Sequence, residues 1–158
     1  MIRTAQLADL PRILDIYAHA RRFMAETGNA VQWGDSYPPE SVVRADIASG
    51  GLYVLEEDKG IHAVFFFRIA PDPSYGVIDG SWLSDGEYGV IHRVASDGTL
   101  HGVLSQIVAF CREKIPHLRI DTHEHNKIMQ RQILKNGFTP RGMIHLADGT
   151  PRIAYETL

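Results

Sequence analysis

The chain has 158 residues, a length that suits one hydrophobic core, and residues 1–158 read as a single domain. Its 44% hydrophobic and 22% charged content is ordinary for a globular protein, and a net charge of −3 without a basic run beyond Arg21-Arg22 argues against nucleic-acid binding. A single cysteine, Cys111, excludes an intrachain disulfide and fits a reducing cytosol, while the lack of any apolar run of about 18 residues argues against membrane spanning and secretion.

In chain order, Ile2-Arg3-Thr4-Ala5 reads as a short strand. Asp9 is placed to cap a helix with Pro11 in its first turn, and Leu10, Ile13, Leu14, Tyr17, Ala20 and Met24 recur at helical spacing. Residues 28–39 form the longest loop, and a loop of that length inside a compact domain is usually functional. Pro38-Pro39-Glu40 starts a shorter helix to about Ala48, closed by Gly50-Gly51. Leu52 to Glu56 and Ile61 to Arg68 predict a hairpin turning at Asp58-Lys59-Gly60, and their near-continuous apolar character places them inside a sheet. Tyr75 to Ile78 predicts a weak strand or extended arm, and Glu87 to Ala95 a strong strand. Leu100, Val103, Leu104, Ile107, Val108, Cys111 and Ile115 form a helical stripe ended by Pro116. Leu118 to Thr122 reads as a strand, Asn126 leads a helix that Gly137 stops, and two last strands, Phe138 to Leu146 and Pro151 to Glu156, turn at Asp148-Gly149. The pattern predicts an α/β (α+β) fold: a mixed, mostly antiparallel central sheet with helices on both faces.

Chemistry concentrates around the Val90 to Ala95 strand, the Ser96 to His101 loop and the helix after it. A strand feeding a glycine-bearing loop and a helix N-terminus offers backbone amides to an anion, although the same pattern also suits a plain strand–helix connection. His92 is a candidate base, since imidazole exchanges protons near neutral pH; its bland reading is a packed strand histidine. Asp79, before Gly80, is a second base candidate or simply a turn former. His123 and His125 form a His-x-His pair without a third ligand, so no metal is expected. Cys111 sits on the apolar stripe and reads as a small hydrophobe. Trp33, Tyr37 and Trp82 could line an acceptor pocket or serve the core.

The run from His123 to Phe138, an Asn-led helix after a strand and before a Gly-Phe stop, resembles the closing half of the acyl-CoA-binding domain of the GNAT N-acetyltransferase superfamily. The resemblance extends from Ile2 to Glu156, and Asp148 to Glu156 is similar to the last hairpin of one small bacterial-type branch. It implies an acyl-CoA N-acyltransferase-like fold, acetyl-CoA as cosubstrate, a small amine or amino-acid-like acceptor, and a cytoplasmic enzyme. It implies pyrophosphate at Leu100, His101, Gly102, Val103, Leu104 and Ser105, the pantetheine arm at Asn126, and a β-bulge at Arg93-Val94-Ala95 that frees amides of Val94 and Ala95. A base on the same strand then falls at His92. The chain departs from the superfamily in three places. Thr99 stands where Arg or Gln opens the phosphate loop, Leu104 replaces a Gly or Ala, and Ile133 takes the position of a tyrosine that protonates the leaving thiolate. These departures favour a second reading, a degenerate, non-catalytic acyl-CoA-binding or interaction domain. Met143, Ile144, Leu146 and Ile153 give the closing hairpin enough apolar area to predict a homodimer, unless they pack on their own chain.

Overall fold

A computed structural model describes residues 1–158. Eight strands form one sheet: β1 Ile2–Thr4, β2 Leu52–Glu57, β3 Gly60–Ile69, β4 Asp79–Gly80, β5 Gly89–Ser96, β6 Leu118–Thr122, β7 Thr139–His145 and β8 Pro151–Thr157. Their order across the sheet is β1-β2-β3-β5-β6-β8-β7-β4, and only β5 and β6 pair in parallel. Four helices, α1 Leu10–Glu26, α2 Glu40–Ala48, α3 Val103–Arg112 and α4 Lys127–Lys135, cover its faces. No helix is long and apolar enough to cross a membrane.

The strand β3 is apolar nearly throughout because it is buried on both sides. Val64 and Phe66 join a core with Ile13, Ile16 and Tyr17 of α1 and Val43 of α2. Phe65 and Phe67 point the other way, to Leu104, Ile107 and Cys111 of α3 and Ile133 of α4. Alternation along one strand thus divides the helices between the faces. The β2–β3 turn uses Asp58 and Lys59 at φ 49° and 65°, the left-handed pair that a two-residue hairpin with the sheet's own twist requires. Gly137, at φ 88°, ends α4 as expected.

Two expectations are corrected, and one open choice is narrowed. Asp9 does not cap α1; its carboxylate accepts from the Gln6 amide (2.8 Å) and from Arg3 (2.8 Å), closing a short 3-10 turn instead. Tyr75 to Ile78 forms no strand. Asp72 accepts from the Ser74 amide and initiates a 3-10 turn at Pro73–Tyr75, and the sheet edge is taken by the two-residue β4. There Gly80 and Gly142 let two backbones approach so closely that a Cβ on either would strike the facing carbonyl, of Arg141 or Asp79. Third, the hairpin's apolar residues face inward. Ile144 is fully buried with Tyr75, Val90 and Ala154, Leu146 packs beside them, and Ile153 joins the α3–α4 core. Three of the four residues thus pack on their own chain, while the half-buried Met143 pairs with Ile153 across the hairpin and with Asp79 at the sheet edge.

Candidate active site

The parallel pair β5–β6 holds register only from Gly89–Leu118 to Ile91–Ile120, and beyond that point the strands part. On its other side β5 carries a bulge. Val64 faces Ala95 but Phe66 faces His92, so β5 has one residue more than β3 across that interval. Arg93 takes φ 51° to accommodate it, unusual for a residue with a side chain. Two helices hold this conformation. The Tyr17 hydroxyl of α1 donates to the Arg93 carbonyl at 3.0 Å, and Asp46 of α2 accepts from Nε and Nη2 of the Arg93 guanidinium at 2.7 and 2.9 Å. Burial pushes the Asp46 carboxyl up, against the pull of Arg93. The bulge lies where the sequence placed it.

The parted strands open a cavity of about 790 Å³. His92 lines it, with Nε2 donating to Asp72 Oδ2 at 2.7 Å and Nδ1 standing 3.5 Å from Asp121 Oδ1. The same Asp121 oxygen accepts from the buried Tyr75 hydroxyl at 2.6 Å. Burial would raise the Asp72 carboxyl, but the His92 hydrogen bond and charge outweigh it and hold it below the ordinary range. Because the Asp72 carboxylate accepts a hydrogen bond from Nε2–H, Nδ1 of a neutral His92 is left as the proton acceptor. A base needs that tautomer, and Asp72 fixes it. Trp33 and Tyr37 also line the cavity, with ring centroids 6.3 Å apart.

A second cavity of about 460 Å³ adjoins the first, sharing Met24, Val94, Asn126 and Met129 as walls. Val94, Ala95, Leu100, His101, Gly102, Val103 and Leu104 line it beside Asn126, so the structure gathers eight of the expected cofactor residues at one place. Gly102 stands at φ 66° with open space around it, just before α3. The first backbone bond of α3 runs from the Gln106 amide to the Gly102 carbonyl (3.1 Å), leaving the amides of Val103, Leu104 and Ser105 without protein acceptors. Leu104 is only 5% exposed, and the α3 core absorbs its bulk. Thr99 does not reach for a ligand; its hydroxyl bonds Asp97 at 2.7 Å. Ser105 is exposed and lines neither cavity. Asn126 caps α4, accepting from the Met129 amide (3.1 Å), and its amide group donates to Gln32 Oε1 at 3.1 Å.

Other expectations separate from the site. Asp79 is exposed on β4, paired with Met143 at the sheet edge, and lines neither cavity. Trp82 stacks on the Arg119 guanidinium (3.9 Å) rather than facing an acceptor. His123 and His125 lie past the end of β6, His125 donating its amide to His123 Nδ1, and no group of side chains there could hold a metal. The Cys111 thiol is buried, and burial pushes it up to about 12, so it is no nucleophile. Sequence reasoning missed Asp72, Tyr75, Asp121, Gln32 and Arg152. The first three meet only through folding, although the Asp72-Pro73-Ser74 turn signal was visible. Thr122 Oγ1 is buried at the first cavity without a partner.

The structure superposes on a GNAT-family acetyltransferase from Streptococcus agalactiae with a TM-score of 0.88 and 30% identity, over 100% of this chain and 94% of that one. The chain belongs to the GNAT acetyltransferase family. A GNAT acetyltransferase from Listeria monocytogenes (TM-score 0.73, 20% identity, 99% and 93% covered) shares the fold. So does yncA from Salmonella typhimurium, whose structure holds its cofactor acetyl-CoA (TM-score 0.62, 18% identity, 99% and 91% covered). No family model matches the sequence, and no curated protein matches it. Within the GNAT frame, the parted β5–β6 pair and the cavity at the start of α3 are the parts that bear on chemistry.

Proposed function

We propose that this GNAT protein is an acetyl-CoA-dependent N-acetyltransferase acting on a small amine. The observation that carries the reading is the continuity of the two cavities through Val94 and Asn126, with a base on one side and unpaired helix amides on the other. The unpaired amides of Val103, Leu104 and Ser105 suit a pyrophosphate. Gly102 keeps their approach open. Asn126 at the shared wall and the unpartnered Thr122 hydroxyl suit a pantetheine arm. When bound, acetyl-CoA supplies an acyl group already activated as a thioester. His92 Nδ1 takes the proton of the acceptor ammonium, directly or through a water, and Asp72 and Asp121 stabilise the imidazolium so formed. Val94 has no register partner on either neighbouring strand, which supports its amide as the donor to the thioester carbonyl. Ile133 is wholly buried and carries no acid, so the thiolate draws its proton from solvent or from another residue of the site.

Acetyl-CoA should raise the melting midpoint of the wild-type protein, since a ligand bound only to the folded state stabilises it. Gly102→Val should weaken CoA at least tenfold, roughly, because a branched side chain at φ 66° both strains the loop and fills the approach to the amides. Titration calorimetry of the two proteins reads this. No binding by the wild type at millimolar CoA would remove the cofactor from the reading, and equal affinities would move the phosphates elsewhere.

A further inference from the structure

Resting on the acetyltransferase reading, we infer that the acceptor is a zwitterion, an amino acid or close relative, whose carboxylate is held by Arg152. Only two arginines are buried, and their surroundings differ. Arg119 is 4% exposed, bonded to Glu156 at 2.9 Å and stacked between Trp82 and Tyr88. Arg152 is 7% exposed and lines the acceptor cavity, yet it forms no ion pair. Its guanidinium donates only to two backbone carbonyls, its neighbour Pro151 at 2.9 Å and Gln32 at 3.4 Å. A guanidinium carries five donors and a charge that cannot be shed. Asp148, an exposed carboxylate on the same cavity wall, feels the Arg152 charge but makes no ion pair with it and accepts from Thr150 instead, so the anion that would meet the guanidinium comes from outside.

The cavity is polarised to match. At one end Asp72 and Asp121 flank His92, a setting that draws an ammonium group. Arg93 is paired there through Nε and Nη2 with Asp46, and Arg68, the other arginine of the cavity wall, is exposed and lies over the Phe66 ring. Asp121 pairs with Ala154 across β6–β8, and Arg152 lies two residues before Ala154 on the same face. That places the Arg152 backbone about 7 Å along the strand and about 5 Å across from Asp121. Side chains reaching into the cavity from both positions can hold the two ends of a small zwitterion. Gln32, which receives Asn29 and Asn126 on its side-chain oxygen and Arg152 on its carbonyl, fixes the Arg152 head against the 28–39 loop.

The test compares acids with their amides in the full chain, across a panel of side-chain types. Calorimetry measures binding of N-acetyl amino acids against N-acetyl amino-acid amides, and a thiol-release assay measures acetyl transfer to free amino acids against their primary amides. The wild type should favour the carboxylates roughly 10- to 100-fold, the worth of a charge-assisted hydrogen-bonded pair. Arg152→Gln should bring acid and amide near parity with CoA affinity unchanged, and Arg152→Lys should fall between. The inference is overturned if wild-type amides do as well as acids, if no panel member binds at millimolar concentration, or if the preference survives in Arg152→Gln. An equal loss of CoA affinity in that variant also overturns it. Transfer to acids and amides alike would leave the enzyme standing without this site. Carboxylate-selective, Arg152-dependent binding without any transfer would keep the site and sink the catalytic reading.

Discussion

His92→Ala is expected to lower kcat/KM for acetyl transfer roughly a hundredfold or more, with CoA affinity unchanged, since general-base assistance contributes about 10²–10⁴. The argument is geometric. His92 lies at the start of the bulge, where β5 has left β6, and its Nε2–H donates to the Asp72 carboxylate at 2.7 Å. Asp72→Asn keeps an acceptor for that proton but removes the charge that steadies the imidazolium, so it should cost less, roughly tenfold. Activity rates with each variant at several pH values separate a base from a packing residue. Unchanged rates in His92→Ala at every pH would end its assignment, and an equal loss in CoA binding would mark it as structural.

The second large effect is on stability. Glu156 is fully buried, with its carboxylate bonded to His117 Nε2 at 2.6 Å, to Arg119 at 2.9 Å and to the Leu83 amide. Glu156→Gln leaves Arg119 buried without its charge partner and should destabilise the fold by about 3–5 kcal/mol, the usual consequence of breaking a buried pair. The pH dependence follows from the direction of the shift. Burial would raise this carboxyl, but His117, the Leu83 amide and Arg119 together hold it below the ordinary glutamate value of 4.5. A lowered folded value means the stabilisation is complete above about pH 4.5 and is lost as pH falls through the folded value. Denaturant melts of wild type should therefore weaken on acidification from about pH 5 to pH 3 more steeply than those of the variant. Parallel curves would show that Glu156 is protonated in the native protein.

How far these features could be read from the residues depended on their range in the chain. Helical stripes such as Leu104, Ile107, Val108 and Cys111 repeat within one element, so α3 and its buried face were legible. The Asp58-Lys59 turn and the Gly137 stop are local chemistry and were legible too. The family resemblance located the bulge, Gly102, Asn126 and His92. The partners of His92 were not legible, because Asp72 is 20 residues away and Asp121 is on another strand, joined only by the parallel pairing. Asp79 misled because a lone carboxylate before glycine says nothing about which way an edge strand faces. The hairpin left a choice open. Its apolar residues were correctly noticed, but the segment around Tyr75 that covers them read as a strand rather than as a 3-10 turn folded over Ile144. Arg152 gave no signal at all, since an arginine's partners are set by tertiary contact.

The brevity of the β5–β6 pairing has a mechanical consequence. Only the pairs from Gly89–Leu118 to Ile91–Ile120 join the two halves of the sheet, whereas β6 and β8 are matched from Leu118–Thr157 to Thr122–Ile153. The groove where ligands would lie is thus also the seam along which the domain parts most readily. Its lower end is fastened by the Gly89 amide on the His117 carbonyl (2.8 Å) and by the Glu156 cluster behind it. Its upper end has no backbone pairing between the strands and is bridged through Gln32, which accepts from Asn126 and Arg152. A cosubstrate spanning that end acts as a stitch between the halves, and amide hydrogen exchange in β5 and β6 would slow together when it binds.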